Sequence, residues 1–242
     1  SGVIHKELLK IRNIEASYSL MEVEPKNLQG EFENLKKLNG FNVTIPHKIN
    51  IIPLLDELDS KAALFSSVNT VKIGEKNIGY NTDCYGFIRA VEMAGINLAS
   101  NVLLCGCGGV ARTISFETIL AGASLTIAVR REDKEMANTL ISEIKEKLKT
   151  DVELIFLDEV SKPYDVLINA TPVGMFPKVD TCPLSKEAVQ KCKAVFDVIY
   201  NPRETKLLKY AREMGVPCSD GLSMLVWQAV VAEEIWNDVK FT

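Results

Sequence analysis

The sequence predicts an α/β protein of two domains, one of them a doubly wound parallel sheet, and three observations carry that expectation. From Val102 onward, short apolar runs alternate with helix-like stretches, the pattern of buried strands joined by helical crossovers. The first of those runs, Val102 to Cys105, breaks into the glycine-rich turn Gly106-Cys107-Gly108-Gly109-Val110-Ala111 before a helical stretch begins. Upstream of Val102 the rhythm is different and includes a hairpin pattern. Residues 1–84, rejoined by 222–242, are therefore expected to form one α/β domain, and 85–221 a Rossmann-type domain.

Taken in order, the first domain opens with a helix from about Ile4 to Asn13 and a strand from Tyr18 to Val23. A helix near Asn27 to Leu38 leads to the strand-like Gly40-Phe41-Asn42-Val43-Thr44, which Pro46 stops because proline offers no N–H to a ladder. A helix is expected from about Lys48 to Leu55. Val68 to Ile73 and Asn77 to Asn81 form the arms of a hairpin around Gly74-Glu75-Lys76, and a helix runs from Cys84 to about Ala94. The parallel strands follow at Val102 to Cys105, Leu125 to Val129, Leu154 to Phe156, Val166 to Asn169 and Val195 to Val198. The last apolar helical stretch, Leu222 to about Trp236, is expected to cross back onto the first domain.

The strand–turn–helix setting gives the glycine pattern its chemistry. Gly106 permits a tight turn, Gly108 lets the backbone approach a pyrophosphate, Gly109 and Val110 complete the cofactor-binding turn, and Ala111, where the helix is expected to start, lets helix and strand pack closely. Free N–H groups at the helix start would hold the phosphates; a plain tight turn is the competing reading. The next strand ends at Val129, where an NAD-binding unit carries an acidic residue for the ribose 2′-OH. This chain has Arg130 there, with Arg131 beside it and Lys134 close behind. A carboxylate would repel a 2′-phosphate, whereas a guanidinium grips it with two hydrogen bonds, so NADP is the expected cofactor. Glu132 and Asp133 dilute the positive field, and a solvated charged loop is the alternative.

Composition bounds the rest. Hydrophobic residues make up 47% and charged residues 25%, as in ordinary globular proteins, and the net charge of -4 gives no reason to expect nucleic acid or an anionic membrane as partner. No apolar run reaches the roughly 18 residues needed to span a bilayer, and no signal-peptide pattern opens the sequence. Six cysteines without a C-x-x-C pair suit reduced thiols in a cytoplasmic protein, and no residue near Cys105 and Cys107 completes a metal site. Monomer and homodimer both remain open.

In the first domain Thr44, His47, Lys48, Asn69, Thr70, Asn81, Thr82 and Asp83 are the residues that could do chemistry, and several fall just past expected strand ends, where side chains reach a cleft rather than a core. Lys48 and Asp83 make an acid–base pair of the kind that passes a proton to or from a hydroxyl while nicotinamide passes a hydride. A solvated helix residue is the competing reading for Lys48. By the rule that ligands bind outside the carboxyl ends of parallel strands, the second substrate is expected in the cleft between the two domains.

Longer motifs then carry a resemblance. Asn42-Val43-Thr44-Ile45-Pro46-His47-Lys48, Ser67-Val68-Asn69-Thr70-Val71 and Gly79-Tyr80-Asn81-Thr82-Asp83-Cys84-Tyr85-Gly86 resemble the substrate-domain motifs of the shikimate dehydrogenase family. The likeness continues through Asn169-Ala170-Thr171-Pro172-Val173-Gly174-Met175, Phe196-Asp197-Val198-Ile199-Tyr200-Asn201-Pro202 and Asp220 to Ala229. The resemblance implies reduction of 3-dehydroshikimate to shikimate with NADPH, on the route to aromatic amino acids. It makes Lys48 and Asp83 the catalytic pair, and assigns Thr44, Asn69 and Gln228 to the substrate's hydroxyls and ring and Tyr200 to the neighbourhood of its carboxylate. Asn169 and Thr171 match the loop beneath the cofactor, and Gly221 a residue whose backbone meets the nicotinamide. A quinate-using or NAD-using sister enzyme and a non-catalytic sensor are the alternatives.

Two departures stand out. Ser1 matches the second serine of the family's Ser-x-Ser-Pro run, with Gly2 where proline is usual, so an earlier strand and serine are expected to precede it in the natural protein. Without that strand, backbone groups of the first domain's sheet are expected to go unpaired. At Val129-Arg130-Arg131 the family's frequent Asn-Arg-Thr loses its polar Asn but keeps its basic positions.

Overall fold

The computed structural model describes residues 2–241, which form two compact units. One unit runs through Gly86 and resumes at Leu225; the other spans Phe87–Met224.

The first unit begins with helix α1 (Gly2–Ile11), followed by α2 (Leu28–Leu35) and strand β1 (Gly40–Asn42). Strand β2 (Glu57–Leu58), helix α3 (Ser60–Phe65), strands β3 (Thr70–Lys72) and β4 (Ile78–Tyr80) and the start of helix α4 (Asp83–Met93), which continues into the second unit, complete the outward path of the chain. Asp59 starts α3 by accepting hydrogen bonds from the Lys61 and Ala62 amides, the usual service of a carboxylate at a helix N-cap. The strands form one sheet in the order β1-β3-β4-β2, with β3 and β4 as the expected hairpin, registered through Val71 and Gly79. Leu28, Phe32, Val43, Ile51, Val68 and Val71 form the buried core beneath it.

Two elements expected in this unit are absent. Residues 18–23 form no strand, and 48–55 form turns and a 3-10 turn at Ile52–Leu54 rather than an α-helix. Pro53 explains the second, because it removes an N–H that a continuing helix would bond. Residues 18–23 leave the free edge of β1, which is bonded only to β3, unpaired. A cavity of about 560 Å³ is lined by Tyr18, Met21 and Val23 of the first segment, Ile51 of the second, and Phe41 and Val43.

The second unit is a single six-stranded sheet of β5 (Asn101–Cys105), β6 (Ser124–Val129), β7 (Glu153–Phe156), β8 (Tyr164–Asn169), β9 (Cys192–Asp197) and β10 (Cys218–Ser219). Every neighbouring pair is parallel, in the order β10-β9-β8-β5-β6-β7. Helices α5 (Gly109–Leu120), α6 (Lys134–Leu148), α7 (Lys186–Gln190) and α8 (Lys206–Glu213) supply the crossovers. Leu103, Leu104, Ile127, Leu167, Ile168 and Val195 are fully buried, as strands covered on both faces must be. The chain adds β6 and β7 on one side of β5, then returns to add β8, β9 and β10 on the other. The order therefore reverses between β5 and β8, where sheets of this kind open a crevice for a ligand.

Helix α9 (Leu222–Asn237) starts in the second unit and ends in the first. Within the first unit its Trp236 Nε1 donates to the Val71 carbonyl at 2.9 Å. Glu233 meets the buried His5 Nδ1 at 2.7 Å, and the His5 ring stacks on Tyr18. No helix among the described residues is long and apolar enough to cross a membrane.

Candidate active site

In the first unit the chain leaves β1, turns at Thr44–His47 and delivers Lys48, whose carbonyl accepts from the Val68 amide at 2.8 Å. Asp83 opens α4, where the exposed N–H groups of a helix start favour a negative charge. These placements bring Lys48 Nζ to 2.5 Å from Asp83 Oδ2, with only 16% and 13% of the two side chains exposed. An ammonium carries three donors, so Asp83 holds Lys48 through one and leaves the others for a ligand.

A buried amide–hydroxyl lattice lies in the same unit. Asn69 Oδ1 accepts from the Thr82 amide at 2.7 Å, and Asn69 Nδ2 donates to Thr82 Oγ1 at 3.0 Å. Thr70 Oγ1 donates to Asn69 Oδ1 at 3.1 Å, and Asn81 Nδ2 donates to the Ser67 carbonyl at 3.0 Å. Thr82 and Asp83 are adjacent, so this lattice anchors the backbone that presents the Asp83 carboxylate. Thr44 is exposed on its turn, and Gln228 is nearly buried on α9, donating to the Leu225 carbonyl at 2.9 Å. His47 Nε2 is taken up by the Val23 carbonyl at 2.7 Å. Ser1 lies outside the described residues.

In the second unit the glycine turn sits at the carboxyl end of β5, at the point where the strand order reverses. Gly106 has φ +107°, a left-handed backbone that a side chain would strain, and a Cβ there would lie 3.1 Å from the Ala170 carbonyl oxygen and Thr171 Cγ2. The turn after β5 and the loop after β8 therefore touch, and Asn169 and Thr171 stand beside the glycines. A Cβ at Gly108 or Gly109 meets nothing within 4 Å, and Gly108 caps α5 without a side chain. Helix α5 starts at Gly109, two residues before the expected Ala111, while Ala111 is fully buried against the sheet. An open, uncapped helix start fits a dinucleotide phosphate pair.

The basic residues past β6 are present but engaged. Arg130 Nε and Nη2 donate to Asp133 at 2.8 and 3.1 Å, and its Nη1 lies 3.1 Å from Glu132. Arg131 reaches Asp158 and Glu159 at 3.0 and 2.8 Å and lies over the Phe156 ring. Exposed pairs of this kind are weak and exchangeable, so a 2′-phosphate can take Arg130 over. Lys134 is exposed at the start of α6.

Gly221 has a packing reason of its own: a Cβ there would lie 1.9 Å from the Val198 carbonyl oxygen. Tyr200 is 46% exposed on the loop after β9. Among the described residues, no group of three or more His, Cys, Asp or Glu could hold a metal ion.

One buried group was not singled out from the sequence. Asp197, the last residue of β9, is registered opposite Asn169 at the end of β8, and neither is exposed. Its Oδ1 accepts from Asn169 Nδ2 at 3.0 Å and from the Ile199 amide at 3.1 Å, and its Oδ2 from Thr205 Oγ1 at 2.6 Å. Burial pushes its carboxyl up to about 6, against the three hydrogen bonds and with some help from Asp220.

Comparison with known proteins agrees with this picture. The model of the shikimate dehydrogenase substrate binding domain matches residues 1–71. A shikimate dehydrogenase (NADP(+)) of Methanococcus maripaludis, strain C6, is 41% identical over 247 residues, covering 99% of this chain and 88% of the relative. The chain belongs to the shikimate dehydrogenase family. Among solved members, a shikimate dehydrogenase in complex with NADP+ superposes with a TM-score of 0.92 at 38% identity, covering 99% of this chain and 85% of that one. A chorismate mutase/shikimate 5-dehydrogenase fusion protein from Clostridium acetobutylicum is similar, with a TM-score of 0.91 at 37% identity over 99% of this chain and 87% of that one.

Proposed function

We propose that this protein is an NADP-dependent shikimate dehydrogenase, which reversibly reduces 3-dehydroshikimate to shikimate in aromatic amino-acid biosynthesis, with Lys48 and Asp83 as its acid–base pair. The observation that carries the residue assignment is the 2.5 Å contact between two largely buried, oppositely charged side chains, one on the turn after β1 and one opening α4. NADP, when bound, supplies or takes up the hydride. Lys48 Nζ gives its proton to the oxygen of the ring carbonyl as that carbonyl becomes a hydroxyl, and takes it back in the reverse direction. Asp83 orients the ammonium and accepts a hydrogen bond from the substrate.

The remaining roles are those the family resemblance implies. Thr44, Asn69 and Gln228 bind the substrate's ring and hydroxyls, with Tyr200 near its carboxylate and Ser1 as a further contact. Gly106, Gly108, Gly109, Val110 and Ala111 form the phosphate turn, with Asn169, Thr171 and Gly221 at its edge. Arg130, Arg131 and Lys134 bind the 2′-phosphate, Arg130 by exchanging Glu132 and Asp133 for it. We assign substrate binding to residues 1–84 and 222–242, and NADP binding to 85–221. We place the protein in the cytoplasm, a reducing compartment that suits its six free cysteines.

The test is Lys48→Ala. Turnover is expected to fall by about 100-fold or more, the range for loss of a general acid, while the KM for shikimate changes only several-fold. Unchanged turnover removes Lys48 from the chemistry.

A further inference from the structure

The loop after β8 needs a reason to stand where it does. Asn169 Oδ1 accepts from the Thr171 amide at 3.0 Å and from Thr171 Oγ1 at 2.7 Å, and Thr171 Oγ1 in turn accepts from the Val173 amide at 3.2 Å. The Thr171 amide can only donate, so it demands the oxygen of the Asn169 amide, and the Asn169 NH₂ then donates to the Val173 carbonyl at 3.4 Å and to Asp197 Oδ1 at 3.0 Å. The Asp197 carboxylate, which when ionised only accepts hydrogen bonds, holds Asn169 in that same orientation from the side away from Thr171. The same carboxylate is fixed from behind by Thr205, the N-cap of α8, whose Oγ1 also accepts from the Leu208 amide. Asp197 thus ties the ends of two strands and the start of a helix to the loop that touches Gly106.

We propose that Asp197 is a positioning residue for the cofactor: through the Asn169 amide it holds Thr171 and Val173 in place beside the Gly106 turn. The proposal rests on the NADP-binding reading of Asn169 and Thr171. The carboxylate lies beneath the loop, with no exposed surface of its own, and acts through Asn169. Its charged neighbours are few. Asp220 acts on it from the loop before α9, itself paired with Arg203, and the Cys105 and Cys182 thiols also feel its charge, both pushed up chiefly by burial.

The test compares Asp197→Ala and Asp197→Asn with the unsubstituted chain, reading NADP+ affinity by calorimetry and amide hydrogen exchange at Thr171 and Val173 in the free protein. Loss of a buried charged acceptor predicts an NADP+ Kd raised about tenfold to a hundredfold in Asp197→Ala, with faster exchange at both amides and an unchanged Kd for shikimate. Asp197→Asn keeps an oxygen toward Asn169 and is expected to restore affinity to within about threefold. An Asp197→Ala protein that folds, binds NADP+ as before and keeps both amides protected overturns the proposal.

A measurement on the unsubstituted chain decides the matter even if Asp197→Ala does not fold. The Asn169 side-chain amide and Thr171 backbone amide resonances should shift together as Asp197 titrates near pH 6; resonances indifferent to that titration overturn the proposal. If the unsubstituted chain itself fails to bind NADP+, the cofactor reading falls, and with it the functional half of this proposal. Exchange and titration would then still report whether Asp197 holds the loop.

Discussion

Replacing Asp197 by Asn should change how the stability of the second unit depends on pH, and the structure gives the size of the change. Burial raises the Asp197 carboxyl from its ordinary 3.8 to about 6. A raised carboxyl means that the folded state binds the proton more tightly than the unfolded chain does. The associated stabilisation is complete below about pH 4 and is lost as pH rises through 6. The displacement corresponds to about 3 kcal/mol as an upper figure. Asn is neutral throughout and has nearly the same shape, so Asp197→Asn escapes that loss. Urea unfolding of the two proteins at pH 4 and pH 8 should show the difference in unfolding free energy moving by about 2–3 kcal/mol in the variant's favour at the higher pH. A difference constant within about 1 kcal/mol would mean that the carboxylate is as well solvated inside as outside, contradicting its zero exposure. An aspartate kept at a stability cost, closing the apolar run Ala194-Val195-Phe196, is the pattern expected of a residue retained for a site.

Other outcomes follow from the same geometry. Arg130→Ala should raise the KM for NADP by about tenfold or more and leave that for NAD nearly unchanged, as expected when a charge-assisted contact to the 2′-phosphate is lost; equal effects on both cofactors would detach Arg130 from that phosphate. Gly221→Ala must push a methyl group into the Val198 backbone, 1.9 Å from its oxygen, and should destabilise by about 1–3 kcal/mol. Thermal unfolding checks this, and an unshifted Tm would mean that the loop yields without strain.

The parallel sheet was legible because its signals are local. Runs such as Leu103-Leu104-Cys105 and Val166-Leu167-Ile168 are apolar on both faces, and the glycine turn marks where one of them stops. In the first unit, local pattern misled where pairing decides. Tyr18 to Val23 is rich in apolar residues but pairs with no strand, and β1 is bonded only to β3. Lys48 to Leu55 has an apolar helical look, yet Pro53 reduces it to turns and a 3-10 segment. The two-residue strands β2 and β10 are too short to leave a pattern. At the site, the Lys48–Asp83 pair was readable from motifs that lie far apart in sequence. Asp197 was not, since its partner is set by the β8–β9 register, which places Asn169 opposite it. The available signal was a lone carboxylate closing the apolar run Ala194-Val195-Phe196. The buried pair of His5 and Glu233 was equally hidden, its members 228 residues apart.

The central claim is tested most directly by following the absorbance of reduced nicotinamide as the protein is given shikimate and NADP+, with NAD+ and quinate in parallel. Turnover with shikimate and NADP+, fastest of the four combinations and lost in Lys48→Ala, is the result this account predicts. Tight binding of both ligands with no absorbance change would contradict it, and would make the protein a sensor built on an enzyme's fold.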